Sequence, residues 1–215
     1  MTHRRQFLAQ LTAGAAALTL DADELRAAAS TSSGGPWDTS WIDRVAAAQY
    51  RVVFNGSEIN DGVALDYVST FLDQFHEVHN ASDAETRAVV VFRRLGTQMG
   101  LNDAMWEKFG FGDDLKIVDP TTHAPARRNV FWTARGSESG GNKIDTLQRR
   151  GMIVLVCNVS LGSIGYRLAQ RTNRNVEEVR SEIRANLVPG AIAVPSGIYA
   201  LIRAQNAGCA YMPGT

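Results

Sequence analysis

The chain has 215 residues and carries 22 basic and 22 acidic side chains, so its formal net charge is zero. A neutral chain argues against a nucleic-acid partner, because nucleic-acid binding usually needs a basic face that displaces counterions. Once an N-terminal leader is set aside, the remaining length suits one domain with a real core and is too short for two.

Residues 1–29 have the features of an export signal and are excluded from the fold prediction. Arg4 and Arg5 form a twin-arginine pair, and a mildly apolar run follows at residues 7–20. That run is shorter than the roughly 20 residues that cross a bilayer, so no stable membrane span is predicted. The segment resembles a bacterial Tat signal, which predicts passage through the Tat translocon to the periplasm. An amphipathic N-terminal helix is the alternative interpretation.

Strands and helices alternate after a linker and leading helix at residues 30–48. The predicted strands cover residues 50–54, 86–92, 152–157, 191–194 and 209–212. The predicted helices cover residues 61–79, 101–109, 143–150, 160–171, 176–186 and 195–206. The Gly- and Pro-rich stretch at 110–142 is too long for an ordinary loop, and we predict that it is a lid or an interface arm.

This alternation implies right-handed crossovers and a parallel sheet covered by helices on both faces. We therefore predict an α/β fold, a single three-layer domain with a five-stranded, mainly parallel sheet of the flavodoxin type. The strand order 2-1-3-4-5, taken by analogy, would place the carboxyl ends of the first and third strands at the topological switch point, where ligands bind.

A pocket is predicted at that switch point, around Cys157 at the end of the third strand. The first strand would contribute residues from its own carboxyl end, while other residues would come from the ends of the neighbouring strands. The predicted binding residues are Asn55, Ser57, Arg93, Asn158 and Ser196.

Cys157 is the candidate reactive residue, because it follows a fully apolar strand and precedes a helix. A helix N-terminus favours thiolate over thiol, which would make this side chain nucleophilic. The alternative is that Cys157 is an inert apolar residue that closes a core strand. A disulfide to Cys209 is not expected, because the two residues would lie at opposite edges of a parallel sheet.

Other candidate sites are weak. His76 and His79 lie three residues apart near a helix end, but this segment lacks the partners of a metal site, so no metal is predicted. Ser196 suits a helix N-cap, and the amides behind it could bind an anion that Arg93 and Arg94 would clamp. A P-loop, a GxSxG elbow and a cysteine cluster with zinc spacing are all missing from the sequence.

Four stretches of the chain, taken together, resemble the DsrE/DsrF-like proteins over residues 49–215. They are residues 50–55, residues 151–158, Leu187-Val188-Pro189-Gly190, and residues 194–211 with the turn Ala204-Gln205-Asn206-Ala207-Gly208. The resemblance implies a small α/β domain that assembles as homo- or hetero-oligomers. It also implies sulfur transfer through a persulfide on the cysteine after the third strand, which here is Cys157.

We therefore expect an exported DsrE-like protein that carries or transfers sulfur on Cys157, as a persulfide carrier or a sulfurtransferase component. Its expected partners are a second copy of itself and a small sulfur species or anion, and no cofactor is expected. The alternative is a non-enzymatic periplasmic subunit for ligand binding or oligomeric assembly, so enzymatic activity stays open at this point.

Overall fold

Five parallel strands alternate with helices in the computed structural model, which describes residues 36–134 and 142–214. The strands are β1 Tyr50–Gly56, β2 Thr86–Phe92, β3 Ile153–Cys157, β4 Ile192–Val194 and β5 Ala210–Pro213. The helices are α1 Ser40–Ala46, α2 Val63–His79, α3 Asp103–Phe109, α4 Phe111–Leu115, α5 Ile144–Arg149, α6 Asn158–Thr172, α7 Val176–Ala185 and α8 Gly197–Asn206. Short 3₁₀ segments occur at Asn60–Gly62 and Arg94–Gly100. The predicted α/β class with a five-stranded parallel sheet is confirmed.

The strands lie in the order β4-β3-β2-β1-β5, and every neighbouring pair is parallel. The predicted order 2-1-3-4-5 is therefore wrong. The first three crossovers each move one strand in the same direction, and the last one carries the chain back across the sheet to the free side of β1. Hydrophobic periodicity predicts which segments are strands, but it holds no information about which strands are neighbours.

Two separate cores cover the two faces of the sheet. On the first face, α2, α6 and α7 pack against even-numbered strand residues such as Val90 and Val154. On the second face, α1 and α8 pack against odd-numbered residues such as Val89, Ile153 and Leu155. The fold is therefore a three-layer sandwich, as predicted.

The leading helix α1 belongs to the second core, where Trp41 and Val45 are fully buried. The described residues from Trp37 onward form one compact unit. The predicted signal at residues 1–29, with Arg4 and Arg5, lies outside the described residues. Within the described ranges, no helix is long and apolar enough to cross a membrane.

The connection between α3 and α5 is packed onto the domain over its described part, which corrects the prediction of a lid or an interface arm. Phe111 and Phe131 are buried in the first core, and Asp119 forms a buried bidentate ion pair with Arg128. Asn129 donates from Nδ2 to the carbonyls of Met99 and Leu101 at 2.7 and 2.8 Å. The many glycines and polar residues of this stretch concealed these few anchoring side chains in the sequence.

Candidate functional site

Cys157 ends β3 at the carboxyl edge of the sheet and is also the N-cap residue of α6. Its Sγ accepts a hydrogen bond from the backbone N–H of Ser160 at 3.4 Å. The residue is only 5 % exposed, and its thiol is free. The sulfur therefore takes the place that an Asp or Ser oxygen holds at an ordinary helix N-terminus.

The topological switch point lies between β3 and β4. The chain leaves β3 into α6, which packs on the first face, and leaves β4 into α8, which packs on the second face. Cys157 is the register partner of Val194, the last residue of β4. The two connections diverge above this pair, and such a divergence opens a crevice at the carboxyl edge of a parallel sheet. Cys157 thus lies at the switch point, although the neighbouring strand is β4 and not β1.

Arg93 lies next to Cys157 on the other side, at the end of β2. Phe92 pairs with Val156, so the next register position places Arg93 opposite Cys157. A Cβ added to Gly197, the first residue of α8, would come within 2.9–3.4 Å of the side-chain carbons of Arg93. The Arg93 stem therefore lies against the start of α8.

The Arg93 guanidinium is half-buried and makes no hydrogen bond or ion pair with any residue in the described ranges. The adjacent Arg94 differs, because its side chain pairs with Glu58 at 3.5 Å and its backbone N–H donates to Ser160 Oγ at 2.9 Å. The paired arginines of the sequence therefore differ in the structure, because the Arg94 side chain is paired while the Arg93 side chain has no partner within residues 36–134 and 142–214.

Ser196 caps α8 and lies across the crevice from α6. Its Oγ accepts a hydrogen bond from the backbone N–H of Tyr199 at 3.0 Å. Asn158, the first residue of α6, is half-buried directly after Cys157. The structure thus places Arg93, Asn158 and Ser196 around Cys157.

Asn55 and Ser57 do not join this group, because β2 lies between β1 and β3. Two strand steps separate β1 from β3, which is about 10 Å. Asn55 donates from Nδ2 to the Tyr211 hydroxyl at 3.1 Å, and the carbonyl of Ser57 accepts from the N–H of Gly96 at 3.1 Å. Their predicted position beside Cys157 depended on the wrong strand order.

Cys209 has a different environment from Cys157. It precedes β5 at the amino edge of the sheet and is buried in the second core. Burial raises the pKa of its thiol to about 11, although the nearby Arg51 opposes that rise. Three strand steps and the length of the sheet separate it from Cys157, so the two free cysteines are too far apart for a disulfide.

Ser160, which is not among the predicted site residues, joins two of the segments at the site. Its N–H contacts the sulfur of Cys157, and its hydroxyl accepts from Arg94. Ser160 lies three residues after the N-cap residue Cys157, and the amide at that position is the usual donor to a capping side chain. This spacing is the signal in the sequence that could have identified Ser160. Three exposed apolar side chains also stand on the segments that meet here, namely Leu95, Val159 and Ile198.

His76 and His79 lie at the end of α2, as predicted. His79 stacks on Tyr50 with ring centroids 5.3 Å apart, and His76 Nδ1 lies 3.3 Å from the carbonyl oxygen of Ala81. Within residues 36–134 and 142–214, no group of three or more His, Cys, Asp or Glu side chains could hold a metal ion.

Comparison with known proteins identifies no family for this chain. No protein-family model matches the chain, and no curated protein matches it. One solved structure is similar, that of MTH1491, a protein of unknown function from Methanobacterium thermoautotrophicum. The two chains are 17 % identical with a TM-score of 0.41, over 76 % of this chain and 98 % of the other.

Proposed function

We propose that this protein is an exported DsrE/DsrF-like protein that carries sulfur as a persulfide on Cys157. One observation carries the proposal: the sulfur of Cys157 caps a helix at the switch point, opposite Arg93, whose side chain has no partner among the described residues. A sulfur carrier needs a thiol that attacks as an anion and a site that then holds an anionic persulfide.

Two positive elements at this edge of the sheet would attract an anionic sulfur species. The first is the N-terminus of α6, a helix of 15 residues whose dipole acts as about half a positive charge. The second is Arg93, which follows β2 at the register position opposite Cys157 and whose stem lies against Gly197. Cys157 is only 5 % exposed, and attractions between charges are stronger at such a site than in bulk water.

The transfer step needs no cofactor. The Cys157 thiolate attacks the outer sulfur of a donor persulfide, R–S–SH, and forms a new S–S bond. The S–S bond of the donor breaks, its electron pair leaves on R–S⁻, and the proton stays on the transferred outer sulfur. Nothing is oxidised or reduced overall, and the reverse exchange passes the same sulfur to an acceptor thiolate.

The environment of Cys157 also suits a donor or acceptor that is itself a protein. The thiol is nearly buried, while its persulfide extends outward by one S–S bond of about 2.05 Å. Leu95, Val159 and Ile198 present exposed apolar side chains around the crevice, and such side chains are commonly covered by a partner.

The test is to incubate the protein with polysulfide and to measure its intact mass and peptide map. We expect the wild type and Cys209→Ser to gain one sulfur atom on Cys157, and we expect Cys157→Ser to gain none. Cys209→Ser is the matched control, because it removes the other buried thiol of the chain. A wild-type protein without an adduct at Cys157, or an adduct that survives in Cys157→Ser, would rule out the carrier function.

Export requires its own test, because the signal lies outside the described residues. Residues 1–33 fused to a folded reporter should direct it to the periplasm, and Arg4→Lys combined with Arg5→Lys should retain it in the cytoplasm. Continued export of the fusion in a strain that lacks the Tat system would refute this part of the proposal.

A second candidate function is a non-enzymatic subunit for assembly or ligand binding. It is favoured by an open groove of about 520 Å³ between α2 and β5, far from Cys157 in the strand order, whose lining is largely aromatic and apolar. Binding that is equally strong in the wild type and in Cys157→Ser would support this function.

A further inference from the structure

Ser160 contacts two segments of the Cys157 site through two different atoms. Its backbone N–H donates to the sulfur of Cys157 at 3.4 Å, and its Oγ accepts from the backbone N–H of Arg94 at 2.9 Å. Arg94 lies two residues after β2, while Cys157 ends β3. The residue before Arg94 is Arg93, whose positive charge the carrier function uses. Ser160 therefore connects the sulfur to the segment that bears this charge.

The hydroxyl of Ser160 differs from that of Ser163, the next serine of α6. Ser163 Oγ donates to the carbonyl of Val159 at 3.0 Å, four residues earlier, which is a common bond for a serine inside a helix. Four residues before Ser160 is Val156, which belongs to β3 and not to α6. The Ser160 hydroxyl instead accepts from a segment 66 residues away in the chain. Its bond is a tertiary contact between α6 and the end of β2.

The backbone of Arg94 has a conformation that needs support from its surroundings. Its φ is 51°, in the left-handed region that a residue with a Cβ adopts only at a cost in free energy. Such conformations persist where the neighbouring structure fixes them. Arg94 begins a 3₁₀ segment, so no carbonyl of that segment accepts its N–H. The Ser160 hydroxyl supplies this acceptor and so supports the conformation.

The position of Arg93 depends on the same hydrogen bond. The N–H of Arg93 donates to the carbonyl of Gly56 at 3.1 Å, which fixes the peptide before it to the end of β1. The peptide after it carries the N–H of Arg94 and is fixed to Ser160. The direction in which a side chain leaves the backbone follows from the conformation of its own residue. Removal of the Ser160 hydroxyl therefore releases one of the two backbone bonds that hold Arg93 in place.

We propose that Ser160 is a positioning residue that keeps the positive charge of Arg93 near Cys157. This role rests on the proposed carrier function, in which a thiolate and then a persulfide anion occupy the site. The amide of Ser160 contacts the sulfur directly, whereas its hydroxyl acts through Arg93. Loss of the hydroxyl leaves the cap of α6 intact and weakens only the attraction for anions.

The test compares the rates at which anionic iodoacetate and neutral iodoacetamide alkylate Cys157, with peptide mapping to identify the modified residue. The ratio of the two rates responds to a displaced charge, whereas a change in the access to the thiol affects both reagents alike. We expect Ser160→Ala to lower the ratio about threefold, because the charge is displaced but not removed.

Two variants serve as controls. Ser163→Ala removes a hydroxyl from the same helix, but this hydroxyl bonds only within α6, so the ratio should equal that of the wild type. Ser160→Thr keeps the hydroxyl and should restore the ratio. Because alanine is a strong helix former, a weakened α6 cannot account for the effect of Ser160→Ala.

A double-mutant cycle checks that Ser160 acts through Arg93. In the Arg93→Met background, Ser160→Ala should lower the ratio no further, because the charge that it displaces is already absent. An additional fall in this background would show that Ser160 acts on the reagent by another route, and it would overturn the proposal.

Three other results would also overturn the positioning role. They are an unchanged ratio in Ser160→Ala, an equal fall in Ser163→Ala, and a ratio in Ser160→Thr as low as that in Ser160→Ala. Failure of the carrier function has a different signature, because a wild type without a sulfur adduct at Cys157 refutes that function and leaves the alkylation ratios as they are. A wild type that gains the adduct, together with an unchanged ratio in Ser160→Ala, refutes the positioning role alone.

Discussion

The positive charge of Arg93 should select anionic reagents at Cys157. The perturbation is Arg93→Met, which removes the guanidinium but keeps an unbranched stem to pack against Gly197. The measurement is the ratio of two alkylation rates of Cys157, with anionic iodoacetate and with neutral iodoacetamide. The ratio cancels the accessibility and the intrinsic reactivity of the thiol, because both reagents react by the same attack.

The strand register supplies the magnitude. Facing residues of neighbouring strands have Cβ atoms about 5 Å apart, so an Arg93 guanidinium turned toward Cys157 would lie roughly 6 Å from the carboxylate of a bound reagent. At an effective dielectric constant near 20, that attraction is about 3 kcal/mol. Arg93 is half-buried, and the solvent and salt that still reach it reduce this attraction to about 1 kcal/mol, which is about fivefold in the rate ratio.

Arg94→Met is the matched control, because Arg94 is exposed and paired with Glu58. We expect its rate ratio to equal that of the wild type, and we expect salt near 1 M, where the Debye length is about 3 Å, to remove most of the Arg93 effect. An unchanged ratio in Arg93→Met, or an equal fall in Arg94→Met, would show that Arg93 does not face the sulfur.

Three further predictions concern stability. Burial raises the pKa of the Cys209 thiol to about 11, so the protonated thiol contributes stability that is complete below pH 9 and is lost as the pH rises to 11. The free energy of unfolding in urea should fall by about 2 kcal/mol over this range in the wild type, and Cys209→Ala should lack that fall. Asn129→Ala should cost about 2–4 kcal/mol in urea unfolding, because it removes the buried amide that binds Met99 and Leu101, whereas the exposed Asn206→Ala should change little. In thermal unfolding, Gly162→Ala should stabilise α6 by up to about 1 kcal/mol, since its added Cβ comes no closer than 3.9 Å to any atom outside the helix. Gly165→Ala should destabilise by about 1–3 kcal/mol, since its Cβ would lie 2.7 Å from Arg180, and equal effects at both glycines would contradict the packing of α6 against α7.

The strands and most helices were predictable from local sequence, because their signals are local. The run at 86–92 predicted β2 to the residue, and Cys157 was expected at its strand-to-helix junction. The strand order was not predictable, because it depends on which edge the final crossover reaches. That one error placed Asn55 and Ser57 beside Cys157.

The parts of the site that were missed depend on contacts between distant segments. Arg93 and Arg94 look alike in the sequence, and only the pairing of Arg94 with Glu58 distinguishes them. The apolar residues of α2 recur at helical spacing and look alike in the sequence, whereas the structure buries Leu65 and Leu72 and leaves Tyr67 exposed.

The crossover from β4 back across the sheet to β5 also determines when this domain can complete its fold. The free edge of β1 is closed by β5, and contacts such as that between Asn55 and Tyr211 span 156 residues of chain. Closing a loop of that length costs about 4–5 kcal/mol of chain entropy before the strands pair. A nascent chain therefore keeps the backbone of β1 open to wrong partners until β5 has left the ribosome.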